Sequence, residues 1–247
     1  MSKDIWTVVW KEFREMFRGP GARFNTAVLM GTVGLLGVLM PMQQGVGFVT
    51  SPAMLLYCLA VPSMIVPSIV ADSFAGERER HTLETLLAGR LSDRAILFGK
   101  QCATMLYALG LTLICLLLGL ISVNLAAAKG HLLLFPAWLA LSGVAASLLG
   151  SWLFAGLGVL VSLRSPTMQK AQQILAMVTL LPIIPVLALI LVLGDARFGA
   201  LLARAASLVP GNVPLLVGVG MTVLLVIDLA LAWVSLARFQ RARLILD

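Results

Sequence analysis

The chain has 247 residues, 60% of them hydrophobic and 12% charged, with a mean hydropathy of +1.01 and a formal net charge of +7. A soluble globular domain carries roughly 25% charged residues, so this composition excludes one and describes an integral membrane protein. The positive balance does not indicate a nucleic-acid partner either, because the basic residues sort to one side of a membrane.

In chain order, residues 2–18 predict an amphipathic surface helix. Asp4, Thr7, Lys11, Arg14, Glu15 and Arg18 fall on one face, and Ile5, Trp6, Val9, Trp10, Phe13, Met16 and Phe17 on the other. Tryptophans opposite basic residues suit a helix lying in the lipid interface. The stretch lacks the length and the small-residue cleavage site of a secretory signal. Gly19-Pro20-Gly21 then turns the chain into the first span.

Six apolar stretches, near residues 24–40, 52–71, 101–123, 137–163, 171–193 and 213–233, are each long enough to cross about 30 Å of hydrocarbon as a helix. Lipid offers open backbone groups no partner, and these runs lack the alternation of barrel strands. The expected fold is therefore an all-α integral membrane protein of six transmembrane helices in a single domain, 1–247. Gly31, Gly34, Gly37, Gly143, Ser147, Gly150, Gly218 and Gly220 are small residues that let helices approach closely. Pro62 and Pro67 in the second span, and Pro182 and Pro185 in the fifth, are expected to kink those helices.

Between the second and third spans, residues 71–100 form the longest charged interruption of the sequence. Leu83, Leu86 and Leu87 fall at i, i+3 and i+4 on one narrow strip, flanked by Glu77, Arg78, Glu79, Arg80 and Glu84. Gly89 is a natural stop, and Ser92 can cap a new helix beginning near Asp93, which leaves a short surface helix hinged between two spans. With the N-terminus inside, the outer loops hold only Lys129, Arg197 and Arg204 of the 18 basic residues, so the remaining 15 lie on the inner side and both termini are expected in the cytoplasm.

Cys58, Cys102 and Cys115 lie within spans without metal-ligand spacing and read as packing residues, as do Met40 and Met42; no metal site is expected. Between the fifth and sixth spans, residues 194–214 carry Phe198, Leu201, Leu202, Ala205 and Leu208 at helical spacing, opposite Arg197 and Arg204, and predict a short helix dipping into the outer leaflet before Pro210 and Gly211. Asp228 is the one carboxylate well inside a span, and no basic residue lies in any of the six stretches to pair with it. Two readings stand side by side: a functional intramembrane group, or a carboxylate neutralised by a proton or by a neighbour such as Gln172 or Gln173.

No GxxxxGK[ST] phosphate loop occurs, since Gly99-Lys100 lacks both the upstream glycine and a following Ser or Thr. There is no zinc pattern, nucleophile elbow or paired carboxylate site, and the only histidines are His81 and His131. The chain is therefore not expected to be an enzyme on its own.

Asp72, Glu77, Arg78, Thr82, Leu83, Glu84, Leu86, Leu87, Gly99 and Lys100 together resemble the loop after the second span in the type-2 ABC transporter permeases. The sequence departs from that pattern at Arg90, where the turn has no proline. The likeness is close over some thirty residues and extends loosely, through the six-span layout, to the whole chain. It implies a permease subunit of the cytoplasmic membrane of a bacterium or archaeon, working as a homodimer with two copies of a separate ATPase subunit and exporting its substrate. It implies that ATP and magnesium bind in the ATPase and no cofactor in this chain. It also implies that Glu77, Arg78, Thr82, Leu83, Glu84, Leu86 and Leu87 meet the ATPase, with the leucines buried in its cleft, and that residues 2–18 form an elbow helix and 194–214 a re-entrant helix closing the outer mouth. An accessory periplasmic protein is a further possible partner. The alternative from the residues alone is a proton- or ion-coupled carrier that uses Asp228. The apolar spans do not select among ions, drugs, peptides and lipids as substrate.

Overall fold

The computed structural model describes residues 2–18, 22–52, 54–80, 92–127, 131–181 and 213–238. Among them every regular element is helical, as an apolar chain without alternating patterns requires. Helix α1 (Ser2–Arg18) comes first. A helical run then occupies the place of the first expected span: α2 (Ala22–Thr32), a π-helical stretch Val33–Leu39, and α3 (Met40–Gln44). Gly45, at φ 55°, ends that run in a backbone region that favours glycine. The short helix α4 (Val46–Thr50) follows. Its Phe48 is fully buried, edge-on to Tyr57 and Phe135 at 5.2 and 5.9 Å between ring centroids.

The second expected span is α5 (Met54–Ala71), continued by a π turn at Asp72–Gly76 and by α6 (Glu77–Glu79). Pro62 and Pro67 lie inside α5, and the helix runs on through both. The third is α7 (Asp93–Ala127), the fourth α8 (Ala137–Ser162), and the last is α10 (Val213–Arg238), preceded by α9 (Met168–Leu180). By length and composition, Met54–Glu79, Asp93–Ala126, Ala137–Ser162 and Pro214–Arg238 can each cross a membrane. Residues 182–212 lie outside the described residues, and with them the second half of the fifth expected span, Pro182, Pro185 and all but the end of the segment 194–214.

Helix α7 begins well before the third expected span. Ser92 caps it as its sequence predicts, its Oγ accepting a hydrogen bond from the Ala95 amide at 3.2 Å. At 35 residues it is about 50 Å long, against about 30 Å of hydrocarbon, so its first turns extend past the apolar layer and carry Lys100 to the membrane rim. At its other end Asn124 exchanges hydrogen bonds with both backbone groups of Leu133, at 2.8 and 2.9 Å, and ties the following connection back onto the helix.

Helix α5 packs along α8 and α7, and α10 packs on α8. Two apolar clusters line this bundle. Val66, Val70, Phe74, Ile96, Leu97 and Val159 meet at the charged rim, and Phe48, Met54, Cys58, Leu116 and Leu139 at the opposite end. Small residues set the spacing, as the sequence predicts for some of them and not for others. A Cβ on Gly143 would stand 3.0 Å from the Met54 methyl, and one on Gly150 would stand 2.8 Å from a Leu59 methyl, whereas Gly31, Gly34, Gly218 and Gly220 have nothing within 4 Å. Gly158 is tighter still, since a Cβ there would meet Val70 at 2.8 and 2.9 Å. Gly158→Ala is expected to lower the stability of the detergent-solubilised protein by about 1–3 kcal/mol, and Gly31→Ala to leave it unchanged or raise it. Thermal unfolding followed by thiol labelling of the buried Cys58 and Cys115 measures both, and equal melting temperatures for the two variants would refute the packing assignment.

Candidate functional site

The described charged residues at the C-terminal end of α5, up to Arg80, do not form a solvated loop. They are built into a junction of five helices. Its centre is the π turn at Asp72–Gly76. One extra residue in a helical turn shifts the backbone ladder and releases groups from it, and each such group in the interior needs a partner. The Ser73 carbonyl accepts a hydrogen bond from Lys100 Nζ at 2.8 Å, and the Ala75 amide donates to Ser162 Oγ at 2.8 Å. The irregular turn is thereby fastened to α7 on one side and to the end of α8 on the other.

Lys100 sits at the middle of the cluster with its side chain 1% exposed. Its ammonium lies 2.8 Å from Glu12 Oε1, 3.0 Å from Glu77 Oε1 and 3.0 Å from Ser73 Oγ, and 5.3 Å from the centroid of the Phe74 ring. Ser73 Oγ passes the contact on by donating to Glu12 Oε2 at 3.2 Å. At the solvent edge, Lys11 Nζ bridges Glu77 Oε1 at 2.9 Å, Glu15 at 3.4 Å and Glu12 at 3.7 Å. The Glu12, Glu15 and Glu77 oxygens lie close enough together to suggest a cation site. The ammoniums of Lys11 and Lys100 already stand among them, so the cluster is an ion-pair network in which the two buried carboxylates, Glu12 and Glu77, are balanced by the two lysines.

A buried lysine is tolerable only when its donors are met by carboxylates and carbonyls in this way. Partial burial acts to depress the Lys11 pKa, but Glu77, then Glu12 and Glu15, outweigh it and hold that pKa above its ordinary 10.5. The stabilisation linked to Lys11 is therefore fully present at neutral pH and is lost only as the pH climbs past that ordinary value.

The next two residues complete the junction. Arg78 donates to the Leu163 carbonyl at 2.9 Å and to the Ser165 carbonyl at 3.3 Å, just past the end of α8, while Glu79 accepts from the Met168 amide at 3.1 Å, the first residue of α9. A cation thus faces the negative end of one helix and an anion the positive end of the next, as helix dipoles favour. Arg80 pairs with Asp72 at 2.9 Å, its partner lying where a Cβ on Gly76 would otherwise sit.

The face assignment of α1 requires correction. Trp6 and Trp10 are 64% and 67% exposed, consistent with a lipid side, but Val8 and Val9 are buried and Glu12 points inward with them. Gly99 makes this approach possible, because a Cβ there would lie 2.6 Å from that of Val8. Of the residues expected to meet an ATPase, Glu77 is 4% exposed and ion-paired inside the chain, and Arg78 is bonded to the end of α8. Thr82, Leu83, Glu84, Leu86 and Leu87 lie outside the described residues.

Sequence reading missed Lys11, Glu12, Ser73, Glu79 and Lys100 as members of one site. A signal was present. Glu12 follows Val8 and Val9, and Lys100 follows Ile96 and Leu97, at i+4 and i+3, so each charge continues a buried apolar stripe.

Asp228 is fully buried, and neither carboxylate oxygen has a hydrogen-bond partner among the described residues, Gln172 and Gln173 included. It shares a face of α10 with Leu231, which packs against Gly156 of α8, and with the buried Ser235. Asp228 and the junction of α1, α5 and α7 are not joined by any hydrogen bond or ion pair among the described residues.

A bundle of long apolar helices with an ion-paired charge cluster at one rim defines a polytopic helical membrane protein whose charged segment is anchored from both flanks. The sequence model of the ABC-2 family transporter proteins matches residues 35–237, most of the chain, and the protein belongs to that family. It is thus the membrane component of a transporter, the class of subunit that does not itself carry out ATP hydrolysis. A search of curated proteins gives no significant match to the chain.

Proposed function

We propose that this protein is the permease subunit of an ABC exporter of the cytoplasmic membrane, driven by two copies of a separate ATPase and working as a homodimer with both termini in the cytoplasm. In this reading the segment 81–91 docks in a cleft of the ATPase, with Leu83, Leu86 and Leu87 buried and Glu84 in a charged contact. ATP and magnesium belong to the ATPase. The observation that carries the reading is the anchoring of that segment's flanks. Residues 72–80 before it and Lys100 after it are tied to α1, α7, α8 and α9. A free topological loop has no use for such bonds, whereas a lever that receives work needs them.

The experiment is co-expression with a candidate ATPase subunit that carries the GxxxxGK[ST] phosphate loop this chain lacks. The two chains are expected to copurify, and Glu84→Arg or Leu86→Ala to reduce ATPase retention by about tenfold or more while the permease stays inserted, the scale for losing a buried anchor or charge pair of an interface. Full retention of the ATPase by both variants, or transport by the permease alone in vesicles, would overturn the reading.

A further inference from the structure

We infer that α1 is part of the force-receiving block: the Glu12–Lys100–Glu77 cluster binds the N-terminal helix to both flanks of the segment 81–91, so that α1, the end of α5 and the start of α7 move as one body. The inference rests on the permease reading for the source of the force, but the binding itself does not. Glu12 is the residue of α1 that reaches the centre. It receives Lys100 from α7 at 2.8 Å and Ser73 from the π turn at 3.2 Å, with its side chain 7% exposed. Lys100 in turn holds Glu77, three residues before the last described residue of this part of the chain. The same ammonium therefore spans the cytoplasmic segment, one contact before it and its own backbone after it. The close packing of Val8 on Gly99 adds a second, apolar attachment less than a turn away on α7.

Simple surface anchoring predicts something different. A helix held only by lipid would keep its tryptophans in the interface and have no reason to bury a glutamate against a lysine of another helix. Burying charge is costly, and the return is that the three elements are fixed in one relative position.

The test uses Glu12→Gln, which keeps the shape but removes the charge and one of the two acceptor oxygens, and the exchanged pair Glu12→Lys with Lys100→Glu. Hydrogen–deuterium exchange of the permease alone is expected to become about tenfold faster in residues 2–18 and 93–100 of Glu12→Gln and to stay unchanged around Leu116 and Leu139, with the exchanged pair recovering part of the protection. In the complex with the ATPase, Glu12→Gln is expected to keep ATP hydrolysis and lose at least about tenfold in transport per ATP. Unchanged exchange in residues 2–18 would overturn the attachment, whatever the ATPase does. Faster exchange with unimpaired transport per ATP would overturn the mechanical role. Failure of any ATPase to bind the wild-type chain would instead fall on the permease reading, and the exchange rates of residues 2–18 would still decide the attachment.

Discussion

Lys100→Met is expected to cost about 3–5 kcal/mol of stability, the range for removing one member of a buried ion pair. The methionine fills most of the volume, so the loss is not one of packing. It arises because Glu12 and Glu77, with side chains 7% and 6% exposed, would face each other with only the edge residue Lys11 to compensate them, and the Ser73 carbonyl released by the π turn would lose its donor. Two carboxylates without a counter-ion in a low-dielectric site must take up protons or draw in water, and both loosen α1. The expected observation is a large fall in melting temperature in detergent, together with reduced yield. The double variant Lys100→Met with Glu12→Met should recover much of it, because replacing a buried pair by apolar residues of similar volume is often neutral. A single variant as stable as the natural protein would show that the cluster holds nothing together.

That contrast explains what sequence reading could reach. Apolar length and the sorting of Lys and Arg are properties of segments, and they gave the membrane class and the main helices α5, α7, α8 and α10 directly. Ser92 as a helix cap was equally legible, since a cap depends on residues three apart in the chain. The cluster was not, because it joins positions 11, 12, 73, 77 and 100, and nothing local in the sequence states that α1 folds against α7. The hydrophobic and polar faces of α1 were drawn by sorting residues into two kinds, which placed Trp6 with Val9. The structure divides the apolar residues themselves: Val8 and Val9 go to the protein, where Gly99 leaves room for Val8, and the tryptophans go outward. The π turn was likewise invisible, since Asp72–Gly76 contains no residue that demands a wider helical turn and the turn is held by partners 27 and 87 positions away. Pro62 and Pro67 are expected to kink their helix, and α5 continues through both as one helix, because helices in lipid have no better alternative for their remaining backbone groups.

Asp228→Leu is expected to stabilise the protein, by about 1–3 kcal/mol, the desolvation penalty of a buried polar group that lacks a partner. Leucine is close to aspartate in reach, and the site on α10 faces the apolar surface of α8, where Leu231 already packs on Gly156. Asp228→Asn is expected to insert and fold like the natural chain, since it retains the shape and adds no charge to a span. Were the carboxylate there for function rather than packing, both variants would transport more slowly although they are no less stable. The decisive comparison sets melting temperature against transport per ATP in the same preparations. If Asp228→Leu melted well below the natural protein, the carboxylate would have a partner beyond the described residues, and its burial would be structural. If both variants transported normally, Asp228 would return to the packing of the last helix. A stable Asp228→Asn variant whose transport was slowed while the ATPase still turned over would place the carboxylate on the substrate's path within an ATP-driven cycle.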